Sequence, residues 1–312
     1  MDRFGRWPND SHEGAKLKVV VVGAGGRLGA ALVREYERDF EVAGLNRAQL
    51  DLAAPERVRE LEFDALINAA ALTNVDYCED HRAEAMQLNA SGPAVLAEIC
   101  REKKARFVHV STDYVFDGEK RTPYMEEDAV RPISVYGESK RAGEELVLAA
   151  NECALVVRVS WVFGPDRPSF VDAILKKART DENVSAVGDK FSTPTYTHDI
   201  AAMLRPLLRD QSVSGLLHLA NRGECSWREY AQWALDCCRR QGVPMKATTV
   251  GASSLSEMKN FVAARPVYTV LGTEKLLRLT GRAPRAWQEA VEEYVRTHYA
   301  RKGELNRRIP RS

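Results

Sequence analysis

Apolar residues in the first half of the chain alternate between two rhythms. Short runs rich in β-branched residues fall at 18–22, 41–45, 65–68, 107–111 and 155–160. Runs of that length and content suit strands buried on both faces. Between them the apolar positions take helical spacing. Leu28, Ala31, Leu32 and Tyr36 line one face of a helix expected over 27–38, and further helices are expected over 83–102 and 136–150. A shorter helix is expected over 55–61, where Pro55 suits the first turn. Strands alternating with helices predict a parallel, doubly wound α/β sheet with right-handed crossovers, a Rossmann-type fold.

Beyond Gly164-Pro165 the rhythm loosens. Helices are expected over 169–180, 198–208, 226–241, 254–259, 274–279 and 286–300, with short strands at 184–187 and 216–219. Ser226 with Glu229, and Ser254 with Glu257, have the capping-box spacing, in which the serine accepts from a free N–H and the glutamate reaches back. The chain therefore divides into a polar N-terminal tail (1–16), a nucleotide-binding domain (17–164) and a smaller, mostly helical substrate lobe (165–312). Segments of that lobe are free to return to the first domain.

Composition mainly excludes. The 312 residues are 45% hydrophobic and carry 45 basic against 44 acidic side chains. That balance, with no basic stripe, argues against a nucleic-acid partner. No run approaches the roughly 18 apolar residues of a membrane span, and the first 16 residues lack the apolar core of a signal peptide. The expectation is a cytoplasmic protein. Its six cysteines form no C-x-x-C pair and no His cluster joins them, so no metal site is expected.

Gly23-Ala-Gly-Gly26-Arg27-Leu28-Gly29 follows the first strand and opens the first helix. Such a loop turns tightly, lets a pyrophosphate approach the backbone, and packs its helix closely on the sheet. The helix N-terminus supplies N–H donors and partial positive charge. A carboxylate ending the second strand would hold a ribose 2′-hydroxyl and favour NAD, but Asn46-Arg47 stands there. An arginine in that place pairs a 2′-phosphate, which favours NADPH, with NADH as the alternative. Asp51 and Leu52 are then placed to approach the adenine, and small Ala69, Ala70 and Ala71 let a cofactor lie against the third strand's exit.

Tyr136 and Lys140 are four residues apart, on one helix face. A phenol is a weak acid near pH 10; a nearby ammonium favours its phenolate and brings it into range for proton transfer. Thr112, at the C-terminal edge of the fourth strand, can hold a carbonyl oxygen beside Tyr136. The trio resembles that of the extended short-chain dehydrogenase/reductases. That resemblance implies an Asp-Glu pair after the threonine in a dehydratase, and here Asp113 is followed by Tyr114. It leaves open a 4-epimerase, which uses the same three groups, and a non-catalytic NADP- or sugar-nucleotide-binding regulatory subunit.

These features resemble the extended short-chain dehydrogenase/reductases, and more narrowly the dTDP-4-dehydrorhamnose reductase family. The resemblance runs from about Lys18 to Tyr299. It is carried by Asn68-Ala-Ala-Ala-Leu-Thr-Asn-Val-Asp76, Ser111-Thr-Asp-Tyr-Val-Phe-Asp-Gly118, Tyr136-Gly-Glu-Ser-Lys140, Arg158-Val-Ser-Trp-Val-Phe-Gly164 and Arg265-Pro-Val-Tyr-Thr-Val-Leu271. Pro194-Thr195 with Asp199-Ile-Ala201 also matches. The resemblance implies hydride transfer from NADPH to C4 of a dTDP-linked 4-keto-6-deoxy sugar, with Tyr136 protonating the alkoxide. It also implies a nucleotide-sugar site that includes Thr73, Val75, Asp76, Thr112, Trp161 against the sugar and Arg265 on the diphosphate. Homodimerisation is left open. Lys190 and Ser192 stand where the family usually has Gln and Gly, and Gly272 where an aspartate is common. These departures leave the sugar and the nucleotide open.

Overall fold

The computed structural model describes residues 16–300. The tail expected over 1–16 lies, apart from Lys16, outside the described residues.

The elements run β1 (Lys18–Val22), α1 (Arg27–Tyr36), β2 (Glu41–Leu45), β3 (Ala65–Asn68), α2 (Val75–Asp80), α3 (Arg82–Met86), α4 (Gly92–Lys103), β4 (Arg106–Thr112), α5 (Val135–Ala150) and β5 (Leu155–Val159). There follow β6 (Val162–Phe163), α6 (Phe170–Thr180), β7 (Val184–Val187), β8 (Phe191–Ser192), β9 (Thr195–Tyr196), α7 (Thr197–Leu204), β10 (Gly215–His218), β11 (Cys225–Ser226), α8 (Trp227–Arg240), β12 (Val250–Ser253), α9 (Glu274–Thr280) and α10 (Trp287–Val295).

Six strands form one parallel sheet in the order β2-β1-β3-β4-β5-β10. The chain runs outward from β1 to β2, then crosses back to β3 on the other side. That reversal is a topological switch point, and the crevice at the C-terminal strand ends there is where ligands bind in open α/β sheets. Alternate residues of each strand point to opposite faces. Val19, Val21, Ile67, Val108 and Val157 pack with Leu28, Leu32, Ile200 and Leu204 of α1 and α7. Val20, Val22, Leu66, Phe107 and Val156 pack on the other face with Leu96 of α4 and Val147 of α5. Both faces of the inner strands are covered, which suits the apolar runs of β1 and β3, whereas the edge strand β2, expected to be buried on both faces, is half-buried to exposed.

The structure refines three expectations. The strand expected at 216–219 is one of the segments that return: β10 pairs in parallel with β5 and extends the main sheet. α7 and Leu276 of α9 return to the same core. The helix expected over 83–102 is present over Arg82–Lys103 but is not uniformly α. Its middle, Gln87–Ser91, is a π-turn, and α4 restarts with Pro93 in its first turn, where a missing N–H does no harm. The π-turn points Asn89 inward, where its amide bonds both Leu72 N and Leu72 O, at 2.8 and 3.0 Å. α2, capped by Asn74 accepting from Tyr77 N, has no sequence expectation. The capping boxes at Ser226 and Ser254 are present, and Ser169 with Asp172 makes a third.

The remaining lobe is built on α6, α8 and α10 around Val171, Leu175, Tyr230, Ala234, Trp287 and Val291. Among the described residues no helix is long and apolar enough to cross a membrane, and no cluster of potential metal ligands occurs. The six cysteines are free thiols, five of them buried.

Candidate active site

The site lies along the C-terminal edge of β1, β3, β4 and β5. Gly23 follows β1 with φ +86°. A Cβ there would sit 2.6 Å from Ala70 N, and one on Gly29 would sit 2.1 Å from Gly23 O. These two glycines are thus required by the protein's own backbone: one lets the loop touch the β3 exit, the other lets α1 close on the loop. Gly26 caps α1 in an extended conformation, and no side chain caps the helix. The first-turn N–H groups are therefore free of side-chain partners, as an anion-binding helix end requires. Ala69, Ala70 and Ala71 are half-buried beside them.

Other predicted cofactor residues sort by which part of them faces out. The Arg27 guanidinium donates to the carbonyls of Val162, Arg167 and Pro168, at 3.2, 3.2 and 2.5 Å. It ties the lobe to the glycine loop, so Arg27 offers a ligand only its backbone N–H. Leu28 is in the core and likewise offers backbone alone. Asn46 Oδ1 accepts from Ala48 N and Gln49 N, which shapes the turn after β2, and leaves Arg47 exposed. Asp51 is exposed and accepts from Ala53 N at 3.0 Å, whereas the Leu52 side chain is buried in the core. Arg167, which no sequence expectation singled out, reaches over from the lobe and donates from Nε to Gly25 O.

β4 delivers Thr112, and α5 delivers Tyr136 and Lys140. Ser134 caps α5, accepting from Gly137 N at 3.3 Å. A Cβ on Gly137 would lie 2.3 Å from Tyr114 O, so glycine lets the start of α5 press against the turn after Thr112. Tyr136 and Thr112 meet there: burial pushes the phenol well up, and its hydrogen bond with Thr112 pulls it the other way. The Tyr114 ring stands edge-on to Tyr136 at 5.8 Å. Lys140 is 1% exposed, and its Nζ lies 2.7 Å from Val110 O and 3.2 Å from His109 Nε2. Burial draws the lysine down to about 8. The lysine is turned to the strand behind it, and burial dominates the phenol.

Asp113 is a site feature that sequence reasoning treated only as a negative. It is 4% exposed and accepts from Thr112 Oγ1 at 3.1 Å, Ser160 Oγ at 2.9 Å and Ser192 Oγ at 3.4 Å. It orients the Thr112 hydroxyl from behind. Lys190 is also buried, donating to Pro266 O at 2.6 Å and lying 5.2 Å above the Tyr114 ring. Their signal in the sequence was adjacency to Thr112 for the one, and departure from the family's glutamine for the other.

The predicted substrate residues fall into two groups. Asp76 and Arg265 form a bidentate ion pair at 2.9 and 2.6 Å, and Asp76 also accepts from the N–H groups of Val262 and Ala263. Arg265 is stacked 4.1 Å from the Phe261 ring. Together they clasp the 261–265 loop onto α2, next to exposed Thr73 and half-buried Val75. Trp161 stands apart, just past β5, with φ +41°, a conformation uncommon for a bulky non-glycine residue. Its indole is half-buried against Tyr230, Phe170 and Trp227, with centroids at 4.8, 5.3 and 5.6 Å.

The model of the RmlD substrate-binding-domain family matches residues 17–300. The chain belongs to that family. RmlD relatives match it along nearly their whole length. The dTDP-4-dehydrorhamnose reductase of Mycolicibacterium smegmatis is 34% identical, over 94% of this chain and 91% of its own. The Streptomyces antibioticus protein named probable dTDP-4,6-dihydroxy-2-methyloxan-3-one 4-ketoreductase is 37% identical, over 89% and 94%. The crystal structure of the Bacillus anthracis dTDP-4-dehydrorhamnose reductase in complex with NADP superposes with a TM-score of 0.84 at 31% identity, covering 90% of this chain and 99% of that one. The RmlD resemblance and the Rossmann-type sheet read from the sequence are both borne out.

Proposed function

We propose that this protein is an NADPH-dependent oxidoreductase that reduces the C4 ketone of dTDP-4-dehydrorhamnose to give dTDP-L-rhamnose, with Tyr136 as proton donor. The observation that carries the reading is the meeting of Thr112 and Tyr136, with Lys140 one helical turn on, at the strand edge that also bears the glycine loop. Relatives named as dTDP-4-dehydrorhamnose reductases, one of them solved with NADP, support the same reading.

The residues present fit a dinucleotide. The uncapped start of α1, with the backbone of Gly26, Arg27 and Leu28, would hold its diphosphate. Arg47 and Asn46 would meet a 2′-phosphate, Asp51 and the backbone at Leu52 the adenosine, and Ala69–Ala71 the face of the cofactor. When bound, the dihydronicotinamide supplies hydride. Thr112 would turn its hydroxyl proton from Asp113 to the ketone oxygen and so position it. Tyr136 passes its phenolic proton to that oxygen as negative charge develops there. Burial keeps the phenol protonated beforehand, so the proton is present when needed. Lys140 holds the nicotinamide ribose and steadies the resulting phenolate. Trp161 would pack on the sugar, and Arg265 would reach the diphosphate while sharing its fork with Asp76.

Mixing the protein with NADPH and dTDP-4-dehydrorhamnose should consume NADPH and yield dTDP-L-rhamnose in equal amounts. Tight NADPH binding with no turnover would replace this reading with a regulatory one.

A further inference from the structure

Behind Lys140 lies a buried polar chain that the reaction described above leaves unused. Asn68 and His109 are fully buried. Asn68 Nδ2 is 3.1 Å from His109 Nδ1, and His109 Nε2 is 3.2 Å from Lys140 Nζ. The chain's direction is set at its far end. Ala70 N–H donates to Asn68 Oδ1 at 3.1 Å, so the amide turns its NH2 toward the imidazole, and His109 Nδ1 must accept. A neutral imidazole has one N–H, which is then on Nε2 and aimed at Lys140. Burial keeps the ring neutral. An ammonium has only donors and cannot accept that N–H. A free amine can: its lone pair takes the His109 proton, one N–H goes to Val110 O, and another is left over.

We propose that His109 is a positioning residue for Lys140: locked by Asn68 with its proton on Nε2, it favours the free amine of the lysine over its ammonium, and cofactor binding reverses that preference and draws a proton into the site at alkaline pH. The inference rests on the reading of Lys140 as the catalytic lysine. Ribose hydroxyls are acceptors for an ammonium, and a dinucleotide brings negative charge to a crevice that is otherwise dry around the lysine. Bound cofactor thus keeps the cation that steadies the Tyr136 phenolate up to a higher pH.

The other charged groups around Lys140 are already engaged. Glu144, on the same helix, favours its charge, but that carboxylate is bidentate with Arg158 of β5 and accepts from Ser111 of β4. Glu79 of α2 accepts from Val135 N, and Glu138 pairs with Arg82 of α3. Asp113 after β4 is held by three hydroxyls. Tyr136, on the same helix, is kept neutral by burial.

The test is proton uptake on mixing with NADPH, read with an indicator dye at about pH 9, far above the second phosphate pKa. With Lys140 at about 8 in the free protein, some nine-tenths of it is amine there, so uptake should approach 0.9 proton per site. His109→Met keeps the volume and removes the donor. Losing that contact raises the lysine by about one unit, which cuts uptake to about half a proton. His109→Gln, able to turn a carbonyl oxygen toward the lysine, should lower uptake as well and serves if the methionine variant does not fold. Lys140→Met should take up none. Wild-type uptake in both His109 variants, with NADPH still bound, would overturn the proposal. So would a wild-type protein that takes up no proton, and in that case the reductase reading stands. Undiminished uptake in Lys140→Met would instead strike at the role of Lys140 itself.

Discussion

Glu144→Gln is predicted to be among the most destabilising single changes near the site. Glu144 and Arg158 pair inside the protein, with side chains 5% and 1% exposed. The carboxylate accepts Arg158 Nε at 2.9 Å, Nη2 at 2.7 Å and Ser111 Oγ at 2.6 Å. Glutamine keeps the shape and one acceptor oxygen but removes the charge, and arginine cannot shed its own. An uncompensated buried guanidinium costs about 3–5 kcal/mol, a large share of the 5–15 kcal/mol that is typical of a folded protein. Urea unfolding by circular dichroism reads this directly. At a slope of about 3 kcal/mol per molar, the midpoint should fall by more than about 1 M. The double variant Glu144→Leu/Arg158→Met removes both charges and strands only the Ser111 hydroxyl, at a cost of about 1 kcal/mol. It should be clearly more stable than Glu144→Gln. A single variant within 1 kcal/mol of wild type, or a double variant worse than the single, would refute the reasoning.

The remaining predictions concern the ligand crevice. Gly29→Ala forces a methyl to within 2.1 Å of Gly23 O, so the glycine loop must move; NADPH affinity by calorimetry should fall at least about tenfold, since an aligned helix end is what binds the phosphates. Arg47→Ala should weaken NADPH by about tenfold, the value of one charge-assisted hydrogen bond, and leave NADH affinity unchanged. Arg265 holds Asp76 down to about 2. A depressed carboxylate contributes stability that is full above its ordinary value, near 3.9, and is lost as pH falls through the folded value. The Asp76 clasp on Val262 and Ala263 should therefore persist at pH 4, read as slow exchange of those two amides, and Arg265→Ala should move its loss up toward the ordinary carboxylate range.

Much of this was legible in the sequence because the first half of the chain is locally consistent. β1 and β3 fall where their apolar runs do, since strands buried on both faces must be continuously apolar, and β2 falls where expected although, at the sheet edge, it is half-buried to exposed. Tyr136 and Lys140 share a helix face by spacing alone. What the sequence hid depends on distant contacts. The return of β10 to the main sheet is set by its pairing with Leu155–Arg158, and no local pattern marks a strand's neighbour. Arg265 read as a ligand-facing cation, yet it is engaged by the protein itself, on Asp76, and the Arg27 guanidinium in the glycine loop is engaged on three carbonyls. His109 looked like one more residue of a strand. Only the side chains placed before and behind it, Asn68 and Lys140, give it a direction.

The central claim is that Tyr136 donates the proton in a ketone reduction. The most direct measurement compares wild type with Tyr136→Phe in a single turnover of NADPH and dTDP-4-dehydrorhamnose, with NADPH affinity determined for both. The phenyl ring keeps the packing against Tyr114 and removes the one transferable proton. The account predicts NADPH affinity within about twofold of wild type and a rate of reduction lower by at least the 10²–10⁴ typical of a general acid. A phenylalanine variant that reduces the sugar at the wild-type rate would contradict it.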